Sequence, residues 1–327
     1  MLRKLTAVLL TFCLAIPVAA LATGVEQDTS LEEALIDAGK ISVTVTNEDG
    51  DTVSEAVIEP ADTTLPRYEA DGSTVLTMTF GGDFTIGDNV QSSGKSIFER
   101  ELDERDGDLN FVFQNVKDIL EADDLTVLNF EGTLTTASRN RSRADYSFLF
   151  RADPSYVSML PDNGVEFVTL ENNHVLDMGE DGYAETKQVL TNAGVGYACE
   201  TEPALFTLYG VQIGVLAYQT FDGAYDRLYT QVPQDIETLR LKGAEIVICA
   251  FHWGDELDYY PNNKQQKMAK IAVDGGADLV VGHHSHRINP IEEYNGKYIV
   301  YSLANFAFAG NTKPSDMSTF IFQIKFR

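Results

Sequence analysis

All five histidines of this 327-residue chain follow short apolar segments, and three of them lie close together. His283, His284 and His286 come directly after the apolar residues 279–281, and His174 and His252 follow two other apolar runs. Imidazole is the commonest metal ligand in proteins and the usual acid or base near neutral pH. Histidines scattered over a surface would not share this position. The pattern therefore predicts a metal site whose ligands come from the ends of several strands.

Other metal-compatible side chains occupy the same kind of position. Asp83, Glu131 and Asn173 each follow an apolar run that is typical of a strand. A mixed set of nitrogen and oxygen ligands without thiolates suits Mn, Fe or Zn better than a structural, cysteine-rich zinc site. One metal rarely needs so many ligands, whereas two divalent metals that share a bridging carboxylate would use them all. The predicted metal ligands are Asp83, Glu131, Asn173, His252, His284 and His286.

Each of these residues, taken alone, also has an ordinary structural interpretation. Asp83 follows two glycines and suits a turn or a helix cap, and Glu131 before a glycine suits a surface turn. Asn173 could form a local turn, and His252 beside Trp253 could be a core imidazole bonded to the backbone. The His-x-His pair after a strand is harder to explain in this way, and the shared position of the whole set favours a metal site.

Strand and helix patterns alternate along most of the chain. Such alternation predicts a layered α/β fold with mostly parallel pairing, in which side chains for chemistry collect at the carboxyl ends of the strands. Later strands at 297–303 and 319–326 are expected to close the fold in antiparallel pairing. The earlier strands are predicted at 74–80, 125–130, 165–170, 211–218, 245–251 and 279–281. The helices are predicted at 96–102, 110–122, 154–162, 182–192, 233–241 and 262–273.

The N-terminal part differs in composition from the rest. Residues 1–22 have a basic start, an apolar stretch and small residues before a cleavage site, which indicates a signal peptide, with an uncleaved anchor as the alternative. Residues 23–72 are acidic and predict a flexible segment, and 73–327 form the folded domain. We therefore expect an exported protein, secreted or held at the cell surface. The net charge of −26 argues against nucleic acid as a partner.

Seven short stretches, in order, resemble the bacterial CapA (poly-γ-glutamate capsule synthesis) family, whose domain is similar to the calcineurin-like metallophosphatases. The resemblance implies a layered α/β/β/α sandwich with mixed sheets. Each stretch alone is a weak signal, but seven in family order are specific. The stretches are Gly82-Asp83, Asn129-Phe-Glu131-Gly132, Phe150-Arg-Ala-Asp-Pro154, Asn172-Asn-His-Val-Leu-Asp177-Met-Gly179, His252-Trp-Gly254, Gly282-His-His-Ser-His286 and Ser302-Leu-Ala-Asn-Phe306.

The metallophosphatase pattern implies a role for each metal ligand. Asp83 matches the carboxylate that opens the first metal site, and His286 matches another ligand of that site. Glu131 matches the carboxylate that bridges the two metals, with Glu in place of the usual Asp. The second-metal ligands are matched by Asn173, His252 and His284.

The remaining candidates come from the stretches that carry the resemblance, although the metallophosphatase pattern has no role that matches His283. His174 matches the imidazole beside the leaving group, so it and Asp177 are the candidate catalytic residues. Arg151, Asn172 and His283 are the candidate substrate-binding residues. Arginine binds carboxylates and phosphates through two parallel hydrogen bonds, which makes Arg151 a candidate clamp. Three further arginines precede Arg151 in the chain, and their presence would be explained equally well by a solvated loop. They are Arg139, Arg141 and Arg143.

Besides Glu131, three residues depart from the family patterns. Thr85 stands where the phosphatase motif has a histidine ligand of the first metal, which weakens that site and puts phosphatase activity in question. The CapA family shares this loss. Ser285 stands where the family usually has proline, and Ala304 where it usually has glycine.

Together these features predict an exported protein in the synthesis, export or attachment of an anionic polymer, with a metal-dependent hydrolase or transferase site. Its partners would be the anionic polymer or a phosphate-containing substrate, and membrane-bound capsule synthesis proteins. One alternative is a dinuclear metal phosphoesterase acting on an envelope or nutrient phosphate. The other is a metal-binding scaffold of a capsule assembly complex without catalytic activity.

Overall fold

The computed structural model describes residues 66–138, 148–310 and 313–327, together with the backbone of three earlier strands. The signal peptide predicted at 1–22 lies outside the described residues, as do Arg139, Arg141 and Arg143. The chain divides into two compact units. The first comprises 1–75, 207–211 and Arg327, and the second comprises 76–206 and 212–326.

The first unit contains a three-stranded antiparallel sheet. Its strands are β1 (Ala34–Asp37), β2 (Lys40–Thr46) and β3 (Thr52–Ile58), with β2 in the centre. All three strands fall within 23–72, the segment that the sequence predicts to be flexible.

The second unit contains two large mixed sheets, and the first is built around β4 (Leu76–Thr85). The strand order is β16-β4-β6-β8-β9, all in parallel pairs, and β17 pairs with β4 in the antiparallel direction. The other strands are β6 (Leu125–Phe130), β8 (Phe167–Thr169), β9 (Gly196–Ala198), β16 (Asn305–Phe308) and β17 (Phe322–Phe326).

The second sheet has the order β10-β11-β12-β13-β15-β14. The pairs from β11 to β15 are parallel, and β14 pairs with β15 in the antiparallel direction. A separate two-stranded ribbon joins β5 (Asp88–Asn89) to β7 (Phe150–Arg151). The strands of the second sheet are β10 (Ala204–Leu208), β11 (Val211–Gln219), β12 (Ile246–His252), β13 (Leu279–His283), β14 (Ile291–Tyr294) and β15 (Lys297–Val300).

Within the described residues, five α-helices and several 3₁₀ turns connect the strands. The longest, α4, carries Pro233 in its interior, and α5 begins with a capping box between Asn262 and Gln265. Among the described residues, no helix is long and apolar enough to cross a bilayer. The helices are α1 (Ile97–Glu104), α2 (Lys117–Leu120), α3 (Gly179–Asn192), α4 (Tyr225–Leu241) and α5 (Asn263–Asp274), and 3₁₀ turns span Leu109–Val112, Pro154–Met159 and Pro161–Asn163.

Buried side chains on both faces of the central strands define the layers. On β12, Cys249 and Phe251 pack with α4 and α5, and the alternate residues Ile248 and Ala250 are buried on the opposite face. The first sheet forms a separate hydrophobic core with α1 and α3. In the described residues, each sheet packs against its own pair of helices, and β4 of the first sheet contacts β13 of the second. The α/β/β/α sandwich with mixed sheets predicted for this chain is confirmed.

Candidate metal centre

The candidate ligands come from strands of both large sheets, and two glycines beside them lie against the backbone of a neighbouring segment in their own sheet. A Cβ atom on Gly82 would lie 1.9 Å from the carbonyl oxygen of Ala304, and one on Gly282 would lie 2.1 Å from that of Tyr301. Neither distance is possible for a real side chain. The glycines of the Gly-Asp and Gly-His stretches are therefore required by packing, next to the ligands Asp83 and His284.

Asp83 lies inside a strand, although the sequence places it after one. β4 continues to Thr85, and its register with β6 shifts between Phe80 and Asp83, so that three residues on β4 are matched by two on β6. Such a bulge turns a side chain to a new direction and is common beside active sites. Here the bulge lies where the Asp83 carboxylate turns toward the His283–His286 loop. The carboxylate accepts a hydrogen bond from the His284 backbone N–H at 3.2 Å.

The first ligand group comprises Asp83, Glu131 and His286. Their ligand atoms all lie within 4.8 Å of one another. His286 Nδ1 lies 3.1 Å from Asp83 Oδ2. These donors are two carboxylates and an imidazole, so they suit a divalent cation.

The second group comprises Glu131, His252 and His284, again with ligand atoms within 4.8 Å. His252 Nε2 lies 3.0 Å from His284 Nδ1 and 2.8 Å from Asn173 Oδ1. Two imidazole nitrogens and an amide oxygen therefore converge with the carboxylate of Glu131. This carboxylate belongs to both groups, as a bridging ligand would.

The environment of Glu131 tests whether metal fits. Both carboxylate oxygens are buried, and neither has a hydrogen-bond partner among the described residues. The nearest imidazole nitrogens, on His174 and His252, are each 3.8 Å from Oε1, beyond hydrogen-bond distance. A buried carboxylate without partners is strongly unfavourable, and a bound cation removes that penalty. The residues present therefore fit a metal centre.

The charge states of the histidines differ between the two groups. Burial and the neighbouring His284 hold the pKa of His252 well below 6.5, and burial and His286 lower the pKa of His284 to about 4. Both imidazoles are neutral near pH 7 and offer lone pairs to a metal. Burial also lowers the pKa of His286, but Glu131 and Asp83 outweigh it and raise the pKa to about 10. Metal binding at the first group therefore displaces a proton.

His174 and Asp177 form a second functional pair beside the metal ligands. His174 Nδ1 lies 2.7 Å from Asp177 Oδ2, an oxygen that also accepts the Phe150 backbone N–H at 2.7 Å. The imidazole packs on the Phe150 ring, with 4.6 Å between the ring centroids. Since Nδ1 is occupied by Asp177, His174 offers Nε2 for proton transfer.

A cavity of about 270 Å³ opens beside the first ligand group. His174 and His286 contribute to its wall, and Arg287 and Lys313 add positive charge. Sequence reasoning missed these two cations, although Arg287 directly follows the last histidine of the cluster. The aromatic part of the wall is formed by Phe148, Phe150 and Phe308.

The three residues predicted to bind substrate are not among those that line this cavity. Asn172 is fully buried, and its amide accepts from His174 N at 3.0 Å and donates to the Phe130 carbonyl at 2.8 Å, so it fixes the turn that carries His174. His283 is buried with Nδ1 at 3.6 Å from Asp83 Oδ1. Arg151 is exposed and donates to the Ala137 carbonyl at 3.2 Å.

Two asparagines also join the site without having been singled out. Asn129 Nδ2 donates to Asp83 Oδ1 at 2.8 Å and lies 3.2 Å from His252 Nδ1, so it links ligands of both groups. Asn305 Oδ1 lies 2.8 Å from His286 Nδ1 and lines the cavity. Both occur in stretches of the family resemblance, which was the available signal.

The ligand loop is held in uncommon backbone conformations. His284 and His286 have φ values of 92° and 53°, and Ala304 has 61°. Residues with a Cβ rarely adopt positive φ, and such strain concentrates at functional sites. The value at Ala304 explains why the family usually has glycine at this position.

We expect Ala304→Gly to raise the free energy of unfolding by about 0.5–1 kcal/mol, because glycine relieves the strain of a left-handed conformation. The matched control is Ala307→Gly on β16, where no positive φ is recorded and glycine should destabilise by a similar amount. Urea unfolding of the metal-free variants measures both. Equal destabilisation by the two substitutions would contradict the argument.

The family model described as "Bacterial capsule synthesis protein PGA_cap" matches residues 77–310, a range that contains every ligand described above. The chain belongs to this family. The family membership predicted from the seven stretches is thereby confirmed.

Relatives with curated descriptions agree with this assignment. The chain is 31% identical over 279 residues to the PGA biosynthesis protein CapA of Bacillus subtilis (strain 168), which covers 80% of the chain and 70% of the relative. It is 29% identical over 265 residues to the capsule biosynthesis protein CapA of Bacillus anthracis, which covers 74% of the chain and 62% of the relative. Among solved structures, TT1561 of Thermus thermophilus superimposes with a TM-score of 0.42 and 10% identity, covering 71% of this chain and 91% of that one.

Proposed function

We propose that this protein is an exported capsule synthesis protein whose metal centre catalyses hydrolysis or transfer within an anionic cell-surface polymer of the poly-γ-glutamate type. The observation that carries the proposal is the carboxylate of Glu131. It is buried without a hydrogen-bond partner among the described residues and is shared by two groups of ligands. The names of the two Bacillus relatives support the polymer class.

Two divalent cations, Mn, Fe or Zn, would supply an activated water and offset the charge that develops at the reacting bond. The residues of the chain divide the remaining work. Asp83 and His286 would hold one cation, Asn173, His252 and His284 would hold the other, and Glu131 would offer its carboxylate to both. His174 gives a proton from Nε2 to the leaving group, and Asp177 keeps the imidazole in the orientation required for that transfer.

The cavity suits a negatively charged chain despite the acidity of the protein as a whole. Arg287 donates Nη1 to the His286 carbonyl at 2.7 Å and Nη2 to Ser315 Oγ at 2.6 Å. Its buried Nε has no hydrogen-bond partner among the described residues. Together with Lys313, it places positive charge beside the metal ligands. Carboxylate groups of a polymer bound there would offset that charge.

Export is a further part of the proposal and depends on residues 1–22. A basic start followed by an apolar stretch is recognised by the export machinery, and the active chain would then work outside the cytoplasm. Synthesis of a surface polymer also requires proteins in the membrane. We include such membrane-bound capsule synthesis proteins among the expected partners.

The first test is the metal content of the purified chain, by elemental analysis, beside a His284→Ala variant. We expect close to two metals per chain in the wild type and a clear loss in the variant, because His284 is a ligand of the second group. A wild-type chain that holds no metal after Mn²⁺ or Zn²⁺ is supplied would overturn the proposed chemistry.

The second test is turnover of γ-linked glutamyl oligomers by the metal-loaded chain. His174→Ala should reduce turnover by about 10²–10⁴-fold, since it removes a general acid, and should leave the metal content unchanged. Cleavage of aryl phosphates instead of glutamyl oligomers would favour the dinuclear phosphoesterase. Metal binding without turnover of either substrate would favour the scaffold.

A further inference from the structure

The sequence predicts more ligands for the second group than for the first. Beside the shared Glu131, the second group has three ligands, on Asn173, His252 and His284, whereas the first has only Asp83 and His286. The residue two positions after Asp83 is Thr85. Its buried hydroxyl has no hydrogen-bond partner within the described part of the chain.

Asn305 reaches the first group from the neighbouring strand. β16 pairs in parallel with β4, and Asn305 is in register with Asp83 itself. Its Oδ1 atom lies 2.8 Å from His286 Nδ1, which in turn lies 3.1 Å from Asp83 Oδ2. Three side chains from two adjacent strands and the histidine loop therefore meet at one point.

The second group has the same local geometry. There, Asn173 Oδ1 lies 2.8 Å from His252 Nε2, which lies 3.0 Å from another ligand atom, His284 Nδ1. Each group thus has an asparagine oxygen at 2.8 Å from an imidazole nitrogen that also approaches a further ligand. Because the two geometries are alike, the ligand role predicted for Asn173 applies to Asn305 as well.

We propose that the amide oxygen of Asn305 is a ligand of the first metal and completes from β16 the position that Thr85 leaves open on β4. This inference rests on the proposed metal centre. The first position then has three oxygen ligands and one nitrogen, from Asp83, Glu131, Asn305 and His286. The second position has two oxygen ligands and two nitrogen ligands. Oxygen ligands favour Mn²⁺ over Zn²⁺, so the first position selects the harder metal.

A different role for Asn305 would be to orient the His286 ring by a hydrogen bond without touching the metal. Loss of such an orienting partner weakens metal affinity by about 10–100-fold. A new ligand on β4 would not restore that loss, because the ring would remain misoriented. Adding a ligand can therefore distinguish the two roles.

The experiment measures Mn²⁺ stoichiometry and affinity, by elemental analysis and by EPR of unbound Mn²⁺, on the full chain after metal removal. We expect two Mn²⁺ in the wild type and one in Asn305→Ala, with affinity at the first position reduced by more than about 100-fold. Asn305→Asp should keep two, because a carboxylate oxygen replaces the amide oxygen. Thr85→Val is the matched control and should also keep two. Thermal unfolding in EDTA checks that each variant is folded.

The decisive variant combines Asn305→Ala with Thr85→His, which returns a ligand to β4. We expect it to bind two Mn²⁺ again. Two Mn²⁺ in Asn305→Ala alone, a loss that Thr85→His does not restore, or a loss caused by Thr85→Val would each overturn the inference and leave the metal centre standing. A wild-type chain without Mn²⁺ would overturn the proposed function itself.

Discussion

Replacing Glu131 with glutamine will remove bound metal from both positions and will make the metal-free protein more stable. The carboxylate is shared by both ligand groups, so its loss affects the two positions together. In the metal-free chain, burial and the nearby Asp83 raise its pKa from the ordinary 4.5 to about 7. A neutral amide of the same shape avoids the burial of this charge.

The sign of the pH dependence follows from the raised pKa. The folded wild-type chain binds the Glu131 proton more tightly than the unfolded chain, so its stability falls as pH rises from about 4.5 to about 7. The Glu131→Gln variant does not lose stability in this way, because its side chain carries no such proton. The free energy of unfolding of the variant should match that of the wild type near pH 4.5 and exceed it by about 3 kcal/mol above pH 7.

Urea unfolding in EDTA at several pH values measures this difference, and saturating Mn²⁺ should reverse it. Each of the two metals at 100 times its Kd would stabilise the wild type by about 2.7 kcal/mol and leave the variant unchanged. Glu256→Gln is the control, because Glu256 is exposed at the cavity and belongs to neither ligand group. If Glu131→Gln retained two metals, the bridging role of this residue would be disproved.

Substituting Gly282 by alanine is expected to cost about 3 kcal/mol of stability and to weaken metal binding at both positions. The added Cβ would lie 2.1 Å from the Tyr301 carbonyl oxygen and 2.4 Å from Trp253 Nε1, the two atoms of a 3.0 Å hydrogen bond. All three residues are in the packed interior, so no flexible side chain can move aside. Overpacking of this kind displaces the backbone, and here the backbone leads directly to His284 and His286.

Urea unfolding of the metal-free chain and Mn²⁺ titration test both parts of this prediction. Gly94→Ala serves as the control, since a Cβ there meets open space and only its φ of 88° opposes the change, at about 1 kcal/mol. A loss at Gly282 no greater than that at Gly94 would show that β13 and the segments that follow β12 and β15 tolerate a wider separation.

Local sequence patterns predicted the strands and long helices well, but their boundaries less well. The helix predicted at 233–241 begins at Tyr225, because Leu228 and Val232 are buried against the second sheet and packing outweighs the cost of Pro233 inside a helix. The strand predicted to end at Phe80 runs on to Thr85 through a glycine bulge. The helix predicted at 110–122 is a 3₁₀ turn followed by the four-residue α2, and the helix predicted at 154–162 is two 3₁₀ turns, so all are too short for a strong periodic signal.

The sequence by itself determined the family, the layered α/β class and six residues that the structure brings to one centre. It could do so because side chains at the carboxyl ends of parallel strands collect at one edge of each sheet, and here three of the residues come from each of the two sheets. The residues concerned are Asp83, Glu131, Asn173, His252, His284 and His286.

Only the tertiary structure decided which other side chains reach that centre. Asn305 is more than 200 positions from Asp83 in the chain, yet strand pairing sets the two in register. Asn172, beside a ligand in sequence, is directed instead into a turn where both ends of its amide are bonded. Neighbours in sequence share a strand but alternate between its faces. The order and register of the strands, which depend on packing of the whole domain, select the face that meets the candidate metal centre.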